Sequence, residues 1–371
     1  MKILQLGKFY PVKGGIEKVM FDIMTGLAAR GIDCDMMCAE SVGGGSIRDI
    51  IPHARLITLR TWLKAASTTI APSMTLLLRK IAADYDIIHI HHPDPMAALA
   101  LRLSGFRGKV VLHWHSDIVK QKKLFRLIAP LQKWLIERAD IVVGTSPTYL
   151  RNSVYLRQAA TKSVCMPIGI KPVVPDLKGA ERLRTLYPGK KIIFFLGRLI
   201  PYKGLPYLID AAAYFPDDYM MLIGGEGPLH ESLLARIESV GLQSRVVLLG
   251  KIPQDELPAY YTACDLFCLP SVMKSEAFGI VQIEAMSLGK PVVATEIEGS
   301  GTSWVNADGV SGLNVPVRDS RALSEAIMEI LSDSERYAYF SIGARERFDS
   351  LFRIDRMIDN CVDLYTRILE K

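Results

Sequence analysis

LFCLPSVMKSEAFGIVQIEAMSLGKPVVAT, residues 266–295, holds a complete structural unit. The run LFCL is apolar throughout and ends at Pro270. A polar loop follows. Phe278-Gly279-Ile280 then opens a segment with apolar residues at helical spacing, and after Gly289 the run PVVAT starts a second strand. Strands that are apolar on both faces and joined through a helix belong to a parallel sheet covered on each side. The stretch therefore reads as strand, helix, strand. It puts Glu276 in the loop and Glu284 two turns into the helix, with an almost wholly apolar segment between them.

The same alternation extends in both directions. MKILQLG, DCDMMCA, ARLITL, DIIHIHH, KVVLHWH and DIVVGTS read as strands, with helix-period stretches such as IEKVMFDIMTGLAAR between several of them. A proline-rich stretch, KPVVPDLKG at 171–179, interrupts the pattern, which then restarts with KIIFFLGR, YMMLIGGEG, RVVLLGKI, LFCLPS, PVVAT and GLNVPV. The 371 residues exceed one ordinary domain. We expect two doubly wound α/β domains, 1–172 and 173–350. The segment 351–371 should form a closing helix packed back on the first domain, since its apolar positions have helical spacing and no strand follows.

Composition excludes several classes. The chain is 49% hydrophobic and 23% charged, without a low-complexity tract. No stretch of 18 apolar residues is present, so no spanning helix is expected, and MKILQLGKFYP is too short and too soon interrupted for a signal peptide. The six cysteines lack zinc-knuckle spacing and read as reduced core thiols of a cytoplasmic protein. A net charge of +6 favours acidic partners such as phosphates or anionic lipid. The basic residues are not interleaved with aromatics as in a nucleic-acid module, so no nucleic-acid partner is expected.

In open α/β sheets, ligands sit outside the carboxyl ends of the strands, and two such sheets facing each other make a cleft. Candidate residues follow from that rule. In GKFYPVKGGIEKVM, Gly14 and Gly15 open a helix after a strand, where free N–H groups and the helix dipole favour an anion. In FFLGRLIPYKG, Arg198 and Lys203 directly follow a buried strand and suit a diphosphate, the former as a fork and the latter as a point charge. In GGEGPL, Gly225 lies in a turn that lets backbone approach a base or ribose. Phe278, Gly279 and Ile280 open the first helical turn, whose N–H groups suit phosphate oxygens. Each piece also has a plain reading as a turn or a solvated basic loop.

Taken together, E-x7-E after a strand, preceded by GR…K and GGEGP and followed by AMSLGKPVVAT, resembles the retaining GT-B glycosyltransferases, and within them glycosyltransferase family 4. The resemblance runs from GKFYPVKGG to GLNVPV. It implies two Rossmann-like domains facing a central cleft, the first binding the acceptor and the second a nucleotide sugar. It also implies Arg198 and Lys203 on the diphosphate, Glu276 on donor sugar hydroxyls and Glu284 on the ribose. The family's strand-end histidine is best matched by His115 in VVLHWHSDIV, which shares a strand face with His113. The chain departs from the family at MPIGIK, where Ile168 replaces an asparagine.

No metal or other cofactor is expected. His89, His91 and His92 lie on one strand and cannot converge on one tetrahedral ion, so they read as strand-end packing and cleft lining. DCD at 33–35 and DYD at 84–86 precede their strands, the wrong end for a ligand. The tail GSGTSWVNADGVSGLNVPV resembles that of bacterial enzymes building O-antigen and other surface polysaccharides. This implies a hexosyltransferase, with mannose from GDP-mannose as the expected donor and a lipid-linked or glycan acceptor. A UDP-sugar-dependent transferase of the same fold, a nucleotide-sugar epimerase and a non-catalytic scaffold are the rival readings. A dehydrogenase is disfavoured because the first strand-to-helix turn lacks GxGxxG. Residues 118–138 carry Lys120, Lys122, Lys123, Arg126, Lys133 and Arg138 among Leu124, Phe125, Trp134 and other apolar residues, with Pro130 interrupting. That basic amphipathic segment suits peripheral contact with the cytoplasmic face of the inner membrane, and equally an ordinary surface helix.

Overall fold

A computed structural model describes residues 1–12, 14–40, 44–65, 68–118 and 122–370, with the side chains of 64, 65, 68 and 122–127 outside the description. The chain forms two compact units. Unit 1 comprises Met1–Gly169 and Ile354–Lys371, and unit 2 comprises Ile170–Arg353. The sequence-based boundaries at 172 and 350 lie three residues from these.

Unit 1 is built on β1 (Lys2–Tyr10), β2 (Asp33–Glu40), β3 (Gly45–Ile51), β4 (Ala54–Arg60), a small hairpin of β5 (Leu63–Ala65) and β6 (Thr68–Ile70), then β7 (Ile87–His92), β8 (Lys109–Trp114), β9 (Ile141–Gly144) and β10 (Ser163–Cys165). Eight strands form one sheet in the order β10-β9-β8-β7-β1-β2-β4-β3. All pair in parallel except β3, which runs antiparallel to β4. The order reverses at β1, whose neighbours are β2 and β7. That is the switch point where an α/β sheet opens a ligand crevice at its carboxyl edge.

Unit 2 contains β11 (Lys191–Leu196), β12 (Tyr219–Gly224), β13 (Val246–Gly250), β14 (Leu266–Leu269), β15 (Val292–Glu296) and β16 (Gly312–Pro316). They form an all-parallel sheet in the order β13-β12-β11-β14-β15-β16. Its switch point lies between β11 and β14, so the loops after these two strands flank one crevice. The quoted stretch is indeed strand, helix, strand: β14, a helix over Ile280–Met286, and β15.

The continuous apolar runs are explained by burial on both faces. Ile3, Leu4 and Leu6 of β1, and Ile192 to Phe195 of β11, are fully buried. The C-terminal helix, Ile354–Leu369, docks within unit 1. Its Tyr365 Oη lies 2.5 Å from His89 Nδ1, and its Ile358 fills the space above Gly26. Arg30 and Asp359 add an ion pair at 2.7 Å.

Some local expectations are corrected. Five cysteines are buried, but Cys165 on the outermost strand is exposed. The helix Lys122–Arg138 runs through Pro130 rather than breaking there. Leu135 and Ile136 on its second half point into the core, and Arg138 donates to the carbonyls of Gly108 and Phe106. Those groups are committed to unit 1. Lys120 lies outside the described residues, as do the side chains of Lys122, Lys123, Leu124, Phe125 and Arg126. Among the described residues, no helix is long and apolar enough to cross a membrane.

Candidate active site

Unit 2 gathers the carboxylates and cations of the sequence reading at the carboxyl ends of β11 and β14. Lys203 ends a short turn after β11, and Glu276 lies in the loop after β14. They are 73 residues apart in sequence, yet Lys203 Nζ lies 2.5 Å from Glu276 Oε2. Both side chains are about nine-tenths buried, with 10% and 11% exposure. Ser271 Oγ donates to the same carboxylate oxygen at 2.9 Å, and Ser300 Oγ donates to the Glu276 carbonyl. The carboxylate is thus held by a cation and a hydroxyl, and its loop is pinned from β15's side. Arg198 differs. It is exposed, and its guanidinium donates to Tyr202 Oη at 3.4 Å.

Two glycines let these loops meet. Gly225 has φ +134°, and a Cβ there would overlap the carbonyl oxygen of Gly197. Gly204 has φ +70°, and a Cβ there would overlap the carbonyl oxygen of Pro270. Only glycine tolerates both the conformation and the approach. Gly225 is therefore needed to bring the ends of β11 and β12 together, and its amide is already given to Gly250 O at 2.7 Å.

The first turn of the Ile280–Met286 helix is capped by Gly279, with no side chain closing its N–H groups. Ile280 is half-buried, whereas the Phe278 ring turns inward to meet Phe352 edge-on at 5.9 Å. Only the backbone of Phe278 remains for a ligand. Glu284 is half-buried and accepts a hydrogen bond from Tyr261 Oη at 2.6 Å. Burial and the adjacent Glu284 carboxylate both push the Tyr261 phenol well above its ordinary value, so it stays a donor. Sequence reasoning missed Tyr261, Ser271 and Ser300. Their roles depend on through-space contacts that local pattern does not announce.

Unit 1 carries a second cluster at the carboxyl end of β1. Gly14 and Gly15 are exposed at the start of the helix Gly15–Ala28. Glu17 is buried, and its carboxylate lies beside Gly14, where an added Cβ would come within 2.6 Å of Glu17 Oε2. Lys8 Nζ donates to Pro93 O, and its backbone N–H donates to Asp94 Oδ2, both at 2.5 Å. Burial lowers the Lys8 ammonium and raises the Glu17 and Asp94 carboxyls, while their mutual attraction opposes each shift. Lys8 and Glu17 fall inside GKFYPVKGGIEKVM and Asp94 lies just past DIIHIHH, but nothing local distinguishes them there.

His115 follows β8 and is buried, with its backbone N–H bonded to His92 O at 3.1 Å. Its ring stacks on His113 at 4.1 Å, and its Nε2 meets His91 Nδ1 at 2.9 Å. His89 and His91 are fully buried on the same face, so they line no surface, which corrects the expectation of cleft lining. His92 points to the other face and stacks on Trp114 at 3.8 Å. His89, His91 and His113 each bring one ring nitrogen within 4.8 Å of the others. Their planes lie only 14–29° apart, so the in-plane lone pairs run side by side instead of meeting at one point. Both nitrogens of His91 are already hydrogen-bonded. These residues do not fit a tetrahedral metal site.

The acid pairs at the opposite sheet edge serve the fold. Asp35 takes a fork from Arg55 at 2.7 Å and a hydrogen bond from Tyr85 Oη at 2.7 Å, which ties DCD to DYD. Asp86 accepts the Lys2 amide at 2.7 Å.

Comparison with known proteins agrees with this architecture. Residues 13–172 match the family model described as Glycosyltransferase Family 4, and residues 182–347 match Glycosyl transferases group 1. The chain is 34% identical to the O-antigen chain mannosyltransferase C of Escherichia coli, covering 100% of this chain and 99% of that one. It is 31% identical to a D-rhamnosyltransferase of Pseudomonas aeruginosa, over 95% of this chain and 92% of that one. The Anabaena HepE protein, solved in complex with UDP, superposes with a TM-score of 0.81 at 21% identity, over 99% and 100% of the two chains. The chain belongs to the family 4 and group 1 glycosyltransferases of the GT-B fold, the family of the O-antigen chain mannosyltransferase.

Proposed function

We propose that this glycosyltransferase moves a manno-configured hexose, mannose from GDP-mannose, onto a hydroxyl of a lipid-linked saccharide during assembly of O-antigen or another surface polysaccharide. The observation that carries the proposal is the buried Lys203–Glu276 pair at the ends of β11 and β14, with exposed Arg198 and the Tyr261-held Glu284 in the same unit. It supports a site for a ligand that is anionic at one end and rich in hydroxyls at the other. Arg198 and Lys203 hold the diphosphate, Glu276 accepts from sugar hydroxyls and Glu284 from the ribose. The backbone at Phe278, Gly279 and Ile280 faces phosphate oxygens. In unit 1, Gly14 and Gly15 offer close-approach backbone, and His115 meets a saccharide hydroxyl. The donor sugar is argued from the two relatives. One is named for mannose and the other for D-rhamnose, which is 6-deoxymannose.

Transfer proceeds with retention. The acceptor oxygen forms a bond to C1 on the face the diphosphate leaves, the C1–O bond to phosphate breaks, and the acceptor's proton passes to the departing phosphate oxygen. Arg198 and Lys203 stabilise the charge that develops there, with no divalent ion required. The enzyme works at the cytoplasmic face of the inner membrane, with lipid contact made by those residues of 118–138 that are not packed into unit 1 as Leu135, Ile136 and Arg138 are.

Calorimetric titration of the purified protein without added metal tests the donor. GDP-mannose binding, with UDP-glucose and UDP-N-acetylglucosamine failing, is the expected result. Binding of a UDP-sugar in its place overturns the donor. No binding to any of the three by folded protein overturns the transferase site.

A further inference from the structure

Four imidazoles stand on one face of β7 and β8, and a directed thread of hydrogen bonds enters them from the middle of β1. Gln5 is fully buried there. Its Nε2 donates to Tyr365 Oη at 3.4 Å and to Cys34 Sγ at 3.6 Å. That leaves the amide oxygen facing His91, 2.8 Å from its Nε2. An amide oxygen only accepts, so His91 carries its proton on Nε2. Burial in an apolar setting keeps the ring neutral, and a neutral imidazole has one proton. His91 Nδ1 is therefore bare. It faces His115 Nε2 at 2.9 Å, so His115 must donate, and its own Nδ1 is left bare in turn.

We propose that Gln5 and His91 form a positioning relay that fixes His115 as its Nε2–H tautomer, so that His115 Nδ1 serves as a hydrogen-bond acceptor for a saccharide hydroxyl. The inference rests on the reading of His115 as a site residue. Neither Gln5 nor His91 touches the saccharide. They act by setting which nitrogen of His115 holds the proton, the usual work of a histidine's second hydrogen bond. The opposite orientation of the Gln5 amide reverses every bond in the thread and puts the proton on Nδ1, so the two arrangements are distinguishable.

The test is long-range proton–nitrogen correlation NMR on protein labelled with 15N-histidine, with His115 assigned by its loss in His115→Asn. The expected spectrum shows a proton-bearing Nε2 and a bare Nδ1 for His115. A proton on Nδ1 in the unmodified protein overturns the relay, and this reading needs no variant to fold. Gln5→Leu should turn the single tautomer into a mixture and lower kcat about tenfold with little change in donor KM, the loss expected when one oriented hydrogen bond is removed. An unchanged His115 tautomer in folded Gln5→Leu also overturns the proposal. The separate site reading fails if His115→Ala turns over normally, and that result leaves the tautomer spectrum unaffected.

Discussion

His113 offers the sharpest test of how the histidine stack is built. Its Nδ1 and Nε2 are both buried without a hydrogen-bond partner among the described residues. Burial pushes the ring down from 6.5 to about 3. The sign follows from the unfolded chain, where the ring titrates near its ordinary value. Above that value, neither state is protonated and the depressed group costs nothing. As pH falls from 6.5 towards 3, the unfolded chain binds a proton that the folded chain refuses, so stability is lost over that window. Between pH 7 and pH 5, one such ring removes about 2 kcal/mol. His89, His91 and His115, which face it, and His92 on the other side all shift in the same direction. Unit 1 should therefore lose stability as pH falls through this window. In His113→Leu, two unmade hydrogen bonds disappear along with ring stacking on His89, His91 and His115, and the net change at pH 7 stays within about 1 kcal/mol. At pH 5 the variant should be about 2 kcal/mol more stable relative to the parent than it is at pH 7. Urea unfolding followed by fluorescence of Trp114, which is buried in unit 1, measures both values. Two stability curves that fall in parallel between pH 7 and pH 5 would refute the reasoning.

Three further outcomes concern unit 2. Glu276→Ala should abolish transfer and, by stranding the Lys203 ammonium, cost about 3 kcal/mol in urea unfolding. The pair Lys203→Met with Glu276→Leu should recover that stability while remaining inactive. Tyr261→Phe removes the hydroxyl that holds Glu284 and should weaken donor binding by about tenfold in calorimetry with the fold retained. Gly225→Ala forces a methyl group into the Gly197 carbonyl at a positive φ and should cost at least about 3 kcal/mol, seen as a lowered midpoint of thermal unfolding.

The inner strands of both sheets were legible because a doubly covered strand has to be apolar along its whole length, as KIIFFL and YMMLIG are, whereas the short edge strand SVC at 163–165 was not read. The edge strand GSIRDII was not, since it is mostly exposed and carries no such run. Proline 130 misled because a proline was read as a break, whereas the Lys122–Arg138 helix continues through it. Residue types at strand ends were legible, but their partners were not. Lys203 and Glu276 read as separate motifs, one for phosphate and one for sugar, and only the fold brings β11 and β14 side by side. The histidines show the same limit. Alternation along one strand puts His113 and His115 together, but pairing of His91 with His113 across β7 and β8 sets the stack. Glu17 shows a further limit. A glycine pair at a helix start looks the same whether or not a carboxylate three residues along the chain lies beside it.

The Lys203–Glu276 pair is hard to explain as a stabilising device. Taking two charges out of water costs several kcal/mol each, and apolar side chains of similar volume hold such a position as well or better. Unit 2 has adapted to the charges. Ser271 is committed to the carboxylate, and Gly204 clears the Pro270 carbonyl from the turn that presents Lys203. The loop is tied down through Ser300, which limits how far Glu276 can follow if Lys203 moves. A pair that is costly, supported and anchored on one side behaves as a poised half-site. In the proposed reading, the donor diphosphate competes with Glu276 for the ammonium, and the sugar hydroxyls compensate the carboxylate for what it gives up. Donor recognition then requires both ends of the ligand at once. A free nucleoside diphosphate satisfies the cation but leaves Glu276 short of a donor, so it should bind more weakly than the intact nucleotide sugar, by more than the contact area of the sugar alone would account for.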